Sequence, residues 1–396
     1  MFPKLRFKEF DGDLTESKLV ELTSWASGGT PAKDVPEYWG DGIPLISGAS
    51  MHTNQLYESD VKITKLGLQK GSKLAPKDSI LILVRGSMLF NKIPMGITLG
   101  DVAFNQDVKC IRPKQQLAPL FLFQWLHAKE NTIQNKVTAT GIGAGKLDTA
   151  DLQNLKLYKP SLEEQTKIAT FLSAVDEKIS QLTQKHQLLR EYKQGMMQKL
   201  FSQQVRFKAD DKSEFGEWEE KELKDIAEIN PKSKKLPESF IYIDLESVEK
   251  GKLLLQKNIE LQDAPSRAQR LLAKGDVLFQ MVRPYQQNNY YFNLSGEYVA
   301  STGYAQIRTK LDSKFIYYAL HEKTFLDEVM NRCTGTSYPA INSSDLSSIE
   351  ILIPCLEEQT KIANFLSSID QKIEVVAQQI EQAKQWKKGL LQQMFI

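Results

Sequence analysis

Few residues in this chain stand at spacings that support chemistry. The loop Gly141-Ile142-Gly143-Ala144-Gly145-Lys146 has the glycines and lysine of a phosphate-binding loop. It is not a Walker A motif, because Thr140 replaces the first glycine and Leu147 stands where Ser or Thr is needed. Its G-x-G-x-G spacing also departs from the G-x-G-x-x-G dinucleotide fingerprint. Such a loop either approaches a phosphate backbone through its N–H groups or is a plain turn. His127 and His321 occupy matching places in two related segments, yet no Ser, Cys or carboxylate completes a catalytic group around either. Packing or capping is the expectation for both. Asn230-Pro231-Lys232 starts like an adenine-methyltransferase tetrad and fails at its third position. No nuclease or helicase constellation is present, so the sequence offers no active site.

Composition sets further bounds. A chain of 396 residues accommodates two or three domains. With 51 Lys and Arg against 49 Asp and Glu, net charge is only +2, less basic than is usual for a solitary DNA binder. Nucleic-acid binding would therefore need its basic groups gathered on one face, or a partner. Cys110, Cys333 and Cys355 are odd in number, far apart and without a CxxC pair. That points to a reducing, cytoplasmic setting and away from a disulfide frame or a zinc site. No apolar run is long enough to span a bilayer, so no membrane role is expected.

The elements that must position any binding residues are more legible. The octapeptide LEEQTKIA occurs at 162–169 and again at 356–363, an offset of 356 − 162 = 194. The likeness continues ungapped to Phe201 and Phe395. In the first copy Ile168, Leu172, Val175, Ile179, Leu182 and Leu189 fall in alternating steps of four and three, interrupted at His186 and Lys193. In the second, Ile362, Leu366, Ile369, Ile373, Val376 and Ile380 do the same, with Lys387 interrupting later. A seam of period 3.5 sustained this long predicts coiled-coil helices, each roughly 60 Å long. Pro160 and the Ser161/Glu164 capping box start the first helix; in the second, Cys355 replaces the serine. Lys193 and Lys387 sit in the seam, where a polar residue fixes register or snorkels to water.

A globular segment precedes each helix. KDSILILVRG (77–86) and KGDVLFQMVRP (274–284) both read as a charged turn entering an apolar strand that ends in Arg. Aromatic-rich helices follow from Phe121 and Phe315. The expected fold class is α/β (α+β): globular domains in tandem repeat, separated by two long antiparallel coiled-coil helices related by a pseudo-twofold. The boundaries are 1–156 and 206–350 for the domains, and 157–205 and 351–396 for the helices.

These features resemble the specificity subunit of type I restriction-modification systems over essentially the full length. SGGTP (27–31), YWGDGIPLI (38–46), the KGDVL turn and the two P-x-L-E-E-Q-x-K-I helix starts carry the likeness. The resemblance implies a non-catalytic subunit in which each domain is a target-recognition domain reading half of a split, asymmetric double-stranded DNA site. It implies that the helices space the domains and dock two methyltransferase subunits, with motor-nuclease subunits joining for restriction. S-adenosylmethionine, ATP and Mg2+ would lie on those partners, and no cofactor or metal on this chain. Half-sites on one face of B-DNA are about 34–36 Å apart, within reach of such a helix pair.

Base reading needs Arg, Lys, amides or hydroxyls on loops that enter a groove. The candidates are Arg85, Ser87, Lys92 and Lys146 in the first domain, at the strand exit and the glycine loop. In the second they are Arg283, Gln286, Gln287, Asn288, Asn289 and Arg332. Lys232, Lys234 and Lys235 form a short basic run suited to phosphates or to a solvated surface. Two rivals remain: a coiled-coil adaptor binding other proteins through two globular heads, and an enzyme with an unrecognised site near Gly141 or Gly335. The seam itself is testable: Leu182→Asp or Ile373→Asp should disrupt domain spacing and partner docking, seen as lost co-elution on size exclusion.

Overall fold

A computed structural model describes residues 3–141, 143–232 and 235–395. The seam forms one helix at Leu162–Phe201, 40 residues long, and another at Leu356–Met394, 39 residues long. Ile168, Leu172, Val175, Leu182, Ile362, Leu366, Ile369, Val376 and Ile380 are buried; Ile179, Leu189 and Ile373 are half-buried. The chain divides into two compact units, Met1–Thr183 with Gln378–Ile396, and Gln184–Ala377. Each unit therefore takes one globular segment and half of each long helix. In the first unit, Ile168, Leu172 and Val175 share a core with Leu390, Met394 and Phe395. In the second, Leu200 shares a core with Ile362, Leu366 and Ile369. Within each unit, then, one helix start lies along the other helix end, so the pairing is antiparallel as expected.

The octapeptide recurs because every inward residue does the same work in both copies. Glu164 and Glu358 are buried; Arg6 grips the first with two hydrogen bonds of 2.7 Å, and Arg206 grips the second at 3.1 and 2.8 Å. Each carboxylate's hydrogen bonds hold the arginine partner's pKa above its ordinary value. The Glu164 carboxylate thus serves Arg6, and of the anticipated capping box the structure shows the Ser161 arm, which accepts from the Glu164 N–H at 3.3 Å. Gln165 and Gln359 are also buried. Their amide groups donate to the Pro160 and Pro354 carbonyls at 2.9 and 2.8 Å, and accept from the backbone of Ala118 and Asp312. Thr166 and Thr360 bond back to the carbonyls of Leu162 and Leu356. Lys167 pairs with Glu9, and Lys361 with Asp210.

The seam lysines are register locks. Lys387 pairs with Asp176 and Lys193 with Asp370, both at 2.6 Å. Each aspartate is held from its other side by a residue of the domain's own helix, Gln124 at 2.8 Å in one unit and Tyr318 at 2.7 Å in the other. The same offset of 194 relates Gln124 to Tyr318, so the whole triad is duplicated.

The globular segments share a plan despite their divergence. Each has a sheet built on a central apolar strand. In the first the order is Thr23–Ser27, Val108–Pro113, Ile80–Leu83, Met95–Thr98, Gln55–Leu56; in the second it is Ala227–Ile229, Tyr304–Thr309, Val277–Gln280, Tyr290–Tyr291. A second sheet repeats as well, each with one parallel pair: Trp39–Ile46 with Val102–Phe104, and Ser239–Ile243 with Tyr298–Ser301. Gly28 and Gly29 of the SGGTP stretch run against backbone, where an added Cβ would meet the Phe104 carbonyl at 2.1 Å and the Gly71 carbonyl at 2.4 Å. A short antiparallel pair, Thr15–Lys18 with Lys156–Lys159, closes the first segment, and Glu219–Glu222 with Glu350–Ile353 closes the second. Among the described residues no helix is long and apolar enough to cross a membrane.

The two kinds of ion pair should separate by burial. Arg6→Met strands a carboxylate whose side chain is 3% exposed, and urea denaturation should show a loss of about 3 kcal/mol. Lys387→Met leaves Asp176, 30% exposed, with Gln124 and water; its loss should be about 1 kcal/mol.

Candidate nucleic-acid interface

In the first domain the buried strand Ile80–Leu83 emerges at Val84 and runs into the short strand Arg85–Gly86. That strand pairs with Gly145–Lys146, setting Arg85 opposite Lys146. Gly145–Lys146 in turn forms a hairpin with Thr138–Ala139. The glycine loop is the turn of this hairpin. Its Gly143 N–H donates to the Thr140 carbonyl at 2.9 Å, and its Ala144 N–H to the Thr140 hydroxyl at 3.2 Å. Those amides are spent within the turn, which favours the plain-turn reading over a phosphate cradle; Ile142 itself lies outside the described residues. Gly145 is needed for close approach, since a Cβ there would meet the Gly86 carbonyl and Leu89 at 2.9 Å.

Arg85, Ser87, Lys92 and Lys146 are all exposed. Arg85 and Lys146 line an open pocket with Gln106, Lys109, Asp148 and Thr149. Sequence reasoning missed Lys109 and Gln106, which reach this rim from the neighbouring loop and strand. Lys109 is tied to Ser27 and Gln106 to Thr30, so the SGGTP stretch buttresses the basic rim.

In the second domain the same positions carry different chemistry. Val282 and Thr334 each bridge to Ala340, repeating the three-stranded arrangement of the first domain in outline. Arg283 follows the buried strand Val277–Gln280 and stacks over the Tyr338 ring at 4.3 Å. Tyr338 belongs to the hairpin stretch equivalent to the glycine loop and is 64% exposed. Arg283 and Gln287, both left-handed, bracket the turn Pro284–Gln286. Two non-glycine residues in that region cost about 1 kcal/mol or more each, so the surrounding contacts must hold them there.

Those contacts come from three of the sequence candidates, Gln286, Asn288 and Asn289. Gln286 is exposed but accepts from the Gln280 side chain at 2.9 Å. Asn288 donates its backbone N–H to the Gln280 side-chain oxygen and accepts from the Lys250 backbone, both at 3.0 Å. Asn289 is 1% exposed, and its oxygen accepts from the Gln280 backbone at 2.8 Å. Arg332 binds Glu328, the Asp345 carbonyl and Ser348. Asn288 and Asn289 are thereby committed to the loop's own architecture, and Arg332 to tying the end of its helix to Asp345 and Ser348, while Arg283, Gln286, Gln287 and the neighbouring Tyr285 and Tyr338 form its outer rim. Of the basic run, Lys232 and Lys235 are described; Lys234 lies outside the described residues.

The histidines prove to be supports. His321 Nδ1 bonds the Tyr317 carbonyl at 2.7 Å, and Nε2 faces the Asn289 amide at 3.4 Å. With the proton on Nδ1, the neutral ring accepts from Asn289 and orients the loop above it. His127 stands 3.9 Å from Glu130, whose carboxylate takes the Ile93 N–H at 3.0 Å, next to Lys92. Each histidine thus lies beneath one candidate loop.

Burial, with the Lys193 charge nearby, pushes the His321 pKa down to about 4. The unfolded chain takes up a proton that the fold refuses, so this contribution is complete above pH 6.5 and is lost as pH falls towards 4. Between pH 7 and pH 5 the protein should lose about 2 kcal/mol more than His321→Gln does, measured by urea denaturation at both pH values.

One two-sheet plan used twice, each copy seated on its part of a helix pair and ending in a differently furnished loop rim, defines a duplicated recognition protein. The chain belongs to the type I restriction-modification DNA specificity family: the model of the type I restriction modification DNA specificity domain matches residues 12–190 and again 216–385. The MjaVIII type I restriction enzyme specificity subunit of Methanocaldococcus jannaschii is 27% identical over 409 residues, covering 97% of this chain and 94% of that protein. The EcoR124I/EcoR124II specificity subunit of Escherichia coli is 30% identical over 182 residues, 46% of this chain and 45% of its own length. The type I S subunit from M. genitalium superposes with a TM-score of 0.62 at 17% identity, covering 100% of this chain and 99% of the other. A chain from a study of complex assembly and conformational transition of the type I R-M system gives 0.56 at 17% identity, covering 96% and 97%. The tandem fold expected from the internal repeat is therefore the fold of this family.

Proposed function

We propose that this chain is the sequence-reading subunit of a type I restriction-modification complex, each domain recognising one half of a bipartite, asymmetric double-stranded DNA site. The observation that carries this reading is the contrast between frame and rim. The octapeptide contacts and the Lys–Asp locks are the same in both repeats. At equivalent strand exits, one domain presents Arg85 opposite Lys146 and the other presents Arg283 stacked on Tyr338 beside Gln286. A frame kept constant under rims that differ suits two readers of different half-sequences. The paired basic side chains in one and the Arg–aromatic–amide set in the other are groups that read base edges and phosphates.

In this reading the chain is not itself an enzyme and works in the cytoplasm. The long helices space the domains and dock two methyltransferase subunits, and motor-nuclease subunits complete the restricting complex. S-adenosylmethionine, ATP and Mg2+ are held by those partners. The family relationship favours this over the protein-binding adaptor, and DNA affinity that falls with added salt separates the two.

Co-expression with the cognate methyltransferase subunit, followed by genome-wide mapping of adenine methylation, should yield a split, asymmetric motif only when both proteins are present. Exchanging the first domain for that of another specificity subunit should change one half of the motif and leave the other intact. A change in both halves, or no new motif from a folded chain with an active partner, would overturn the proposal.

A further inference from the structure

A buried amide in the second domain has no counterpart in the first. The strand Val277–Gln280 ends on Gln280, which is 2% exposed, where the matching strand Ile80–Leu83 ends on Leu83. Burying a polar side chain costs stability unless its hydrogen bonds are made, and both ends of this one are used. Its oxygen accepts the Asn288 backbone N–H at 3.0 Å, and its nitrogen meets the Gln286 side chain at 2.9 Å.

The backbone group settles which end is which. A peptide N–H can only donate, so the Gln280 atom beside Asn288 is the oxygen and the one beside Gln286 is the NH2 group. That NH2 group can only donate in turn, so Gln286 receives it on its own oxygen. Gln286 is exposed, and the end it turns outward is therefore its NH2. Arg283 stands beside it, its carbonyl accepting the Gln286 backbone N–H at 3.0 Å. The Arg283 guanidinium lies over the Tyr338 ring at 4.3 Å and has no hydrogen bond or ion pair among the described residues. A stacked guanidinium keeps its N–H groups in one plane, free to meet a planar acceptor pair. These two side chains thus offer donors only.

We infer that Gln280 is a specificity-positioning residue, which locks Gln286 so that it and Arg283 read hydrogen-bond acceptors on the major-groove edges of the second half-site, one of them a guanine. This rests on the reading under Proposed function and names the base chemistry that one rim selects. A free glutamine pairs with adenine through N6 and N7, giving an oxygen to one and an N–H to the other. Gln286, with its oxygen turned to Gln280, is held out of that pairing. Its outward NH2 suits the O6 of guanine or the O4 of thymine. Arg283 suits guanine O6 and N7 together, the commonest specific contact an arginine makes.

The test uses the full chain in complex with its methyltransferase subunit, titrated by fluorescence anisotropy against duplexes carrying the mapped site. Each base pair of the second half-site is replaced in turn. Replacing one guanine there by 7-deazaguanine, which lacks N7, should weaken wild-type binding about tenfold or more, and should cost Arg283→Ala nothing further. At a neighbouring pair the wild type should prefer one base by about tenfold. Gln286→Glu puts an oxygen where the NH2 was, so on the strand bearing the keto base of that pair the preference should pass to adenine or cytosine. Gln280→Leu, which installs the first domain's residue, frees Gln286 to turn and should level that preference while the first half-site is read as before. Gln286→Glu alters only an exposed side chain, so it carries the test if Gln280→Leu does not fold. A second half-site with no guanine sensitive to loss of N7, an unchanged preference in Gln286→Glu, or a Gln280→Leu chain that weakens on all duplexes alike with its preference intact would overturn the inference and leave the proposed function standing. Wild-type binding indifferent to the sequence of either half would overturn both.

Discussion

Two buried carboxylates anchor this protein. Glu164 and Glu358 sit in the first turn of each long helix, where negative charge suits the helix dipole. Each is held by an arginine from the segment that leads into the adjoining domain. That arginine also binds a carbonyl of its own segment, Gly12 in one case and Gly216 in the other. One ionic contact thereby joins three things: the helix start, the lead segment and the edge of the domain. The neighbouring glutamines add the domain's aromatic helix, through Ala118 and Asp312. Leaving any of these groups unpaired in the interior is costly, so the domain cannot tilt on its helix without breaking several at once.

Further along the helices the reciprocal Lys–Asp pairs set the register. An apolar seam alone tolerates a slip of one heptad, because Ile and Val meet similar partners either way. A seam lysine that must find an aspartate, itself held by Gln124 or Tyr318, allows one alignment. Specificity of pairing, more than added stability, is what a polar seam position supplies. The frame is the same in each unit, and each unit carries a rim of its own chemistry upon it.

Much of this frame was legible in the sequence. The 194-residue offset, the seam and the prolines at 160 and 354 located both helices, because periodicity over forty residues is a strong signal. Burial of Ile168, Leu172, Ile362 and Leu366 followed directly. The polar half of the octapeptide was not legible: Glu164 read as a capping-box partner of Ser161 and nothing marked Gln165, until Arg6 and Ala118 are seen beside them. The loop candidates divided for a related reason. Residue type marks Asn289 and Arg332 as able to read bases, yet whether an amide faces outward depends on partners such as Gln280 and His321 that are distant in sequence or unremarkable alone. Lys109 and Gln106 were missed because nothing local distinguishes them; strand pairing brings them to the rim.

The hydrogen bond from the Leu5 N–H to the Gln393 carbonyl matches the one from the Val205 N–H to the Lys199 carbonyl. At the second place the chain runs on covalently from helix to lead segment; at the first, the same junction is bridged without a covalent link. This makes the order of folding unequal between two otherwise equivalent units. The unit Gln184–Ala377 is continuous, and its contacts lie within one stretch of chain. The other draws Leu390, Met394 and Phe395 into the core built by Phe121 and Ile168, so its loops close over nearly the whole chain. Closing so long a loop is slow. During synthesis the later-made unit has all its parts first, while the earlier-made unit waits for the second half of the last helix, from Gln378 on, to arrive.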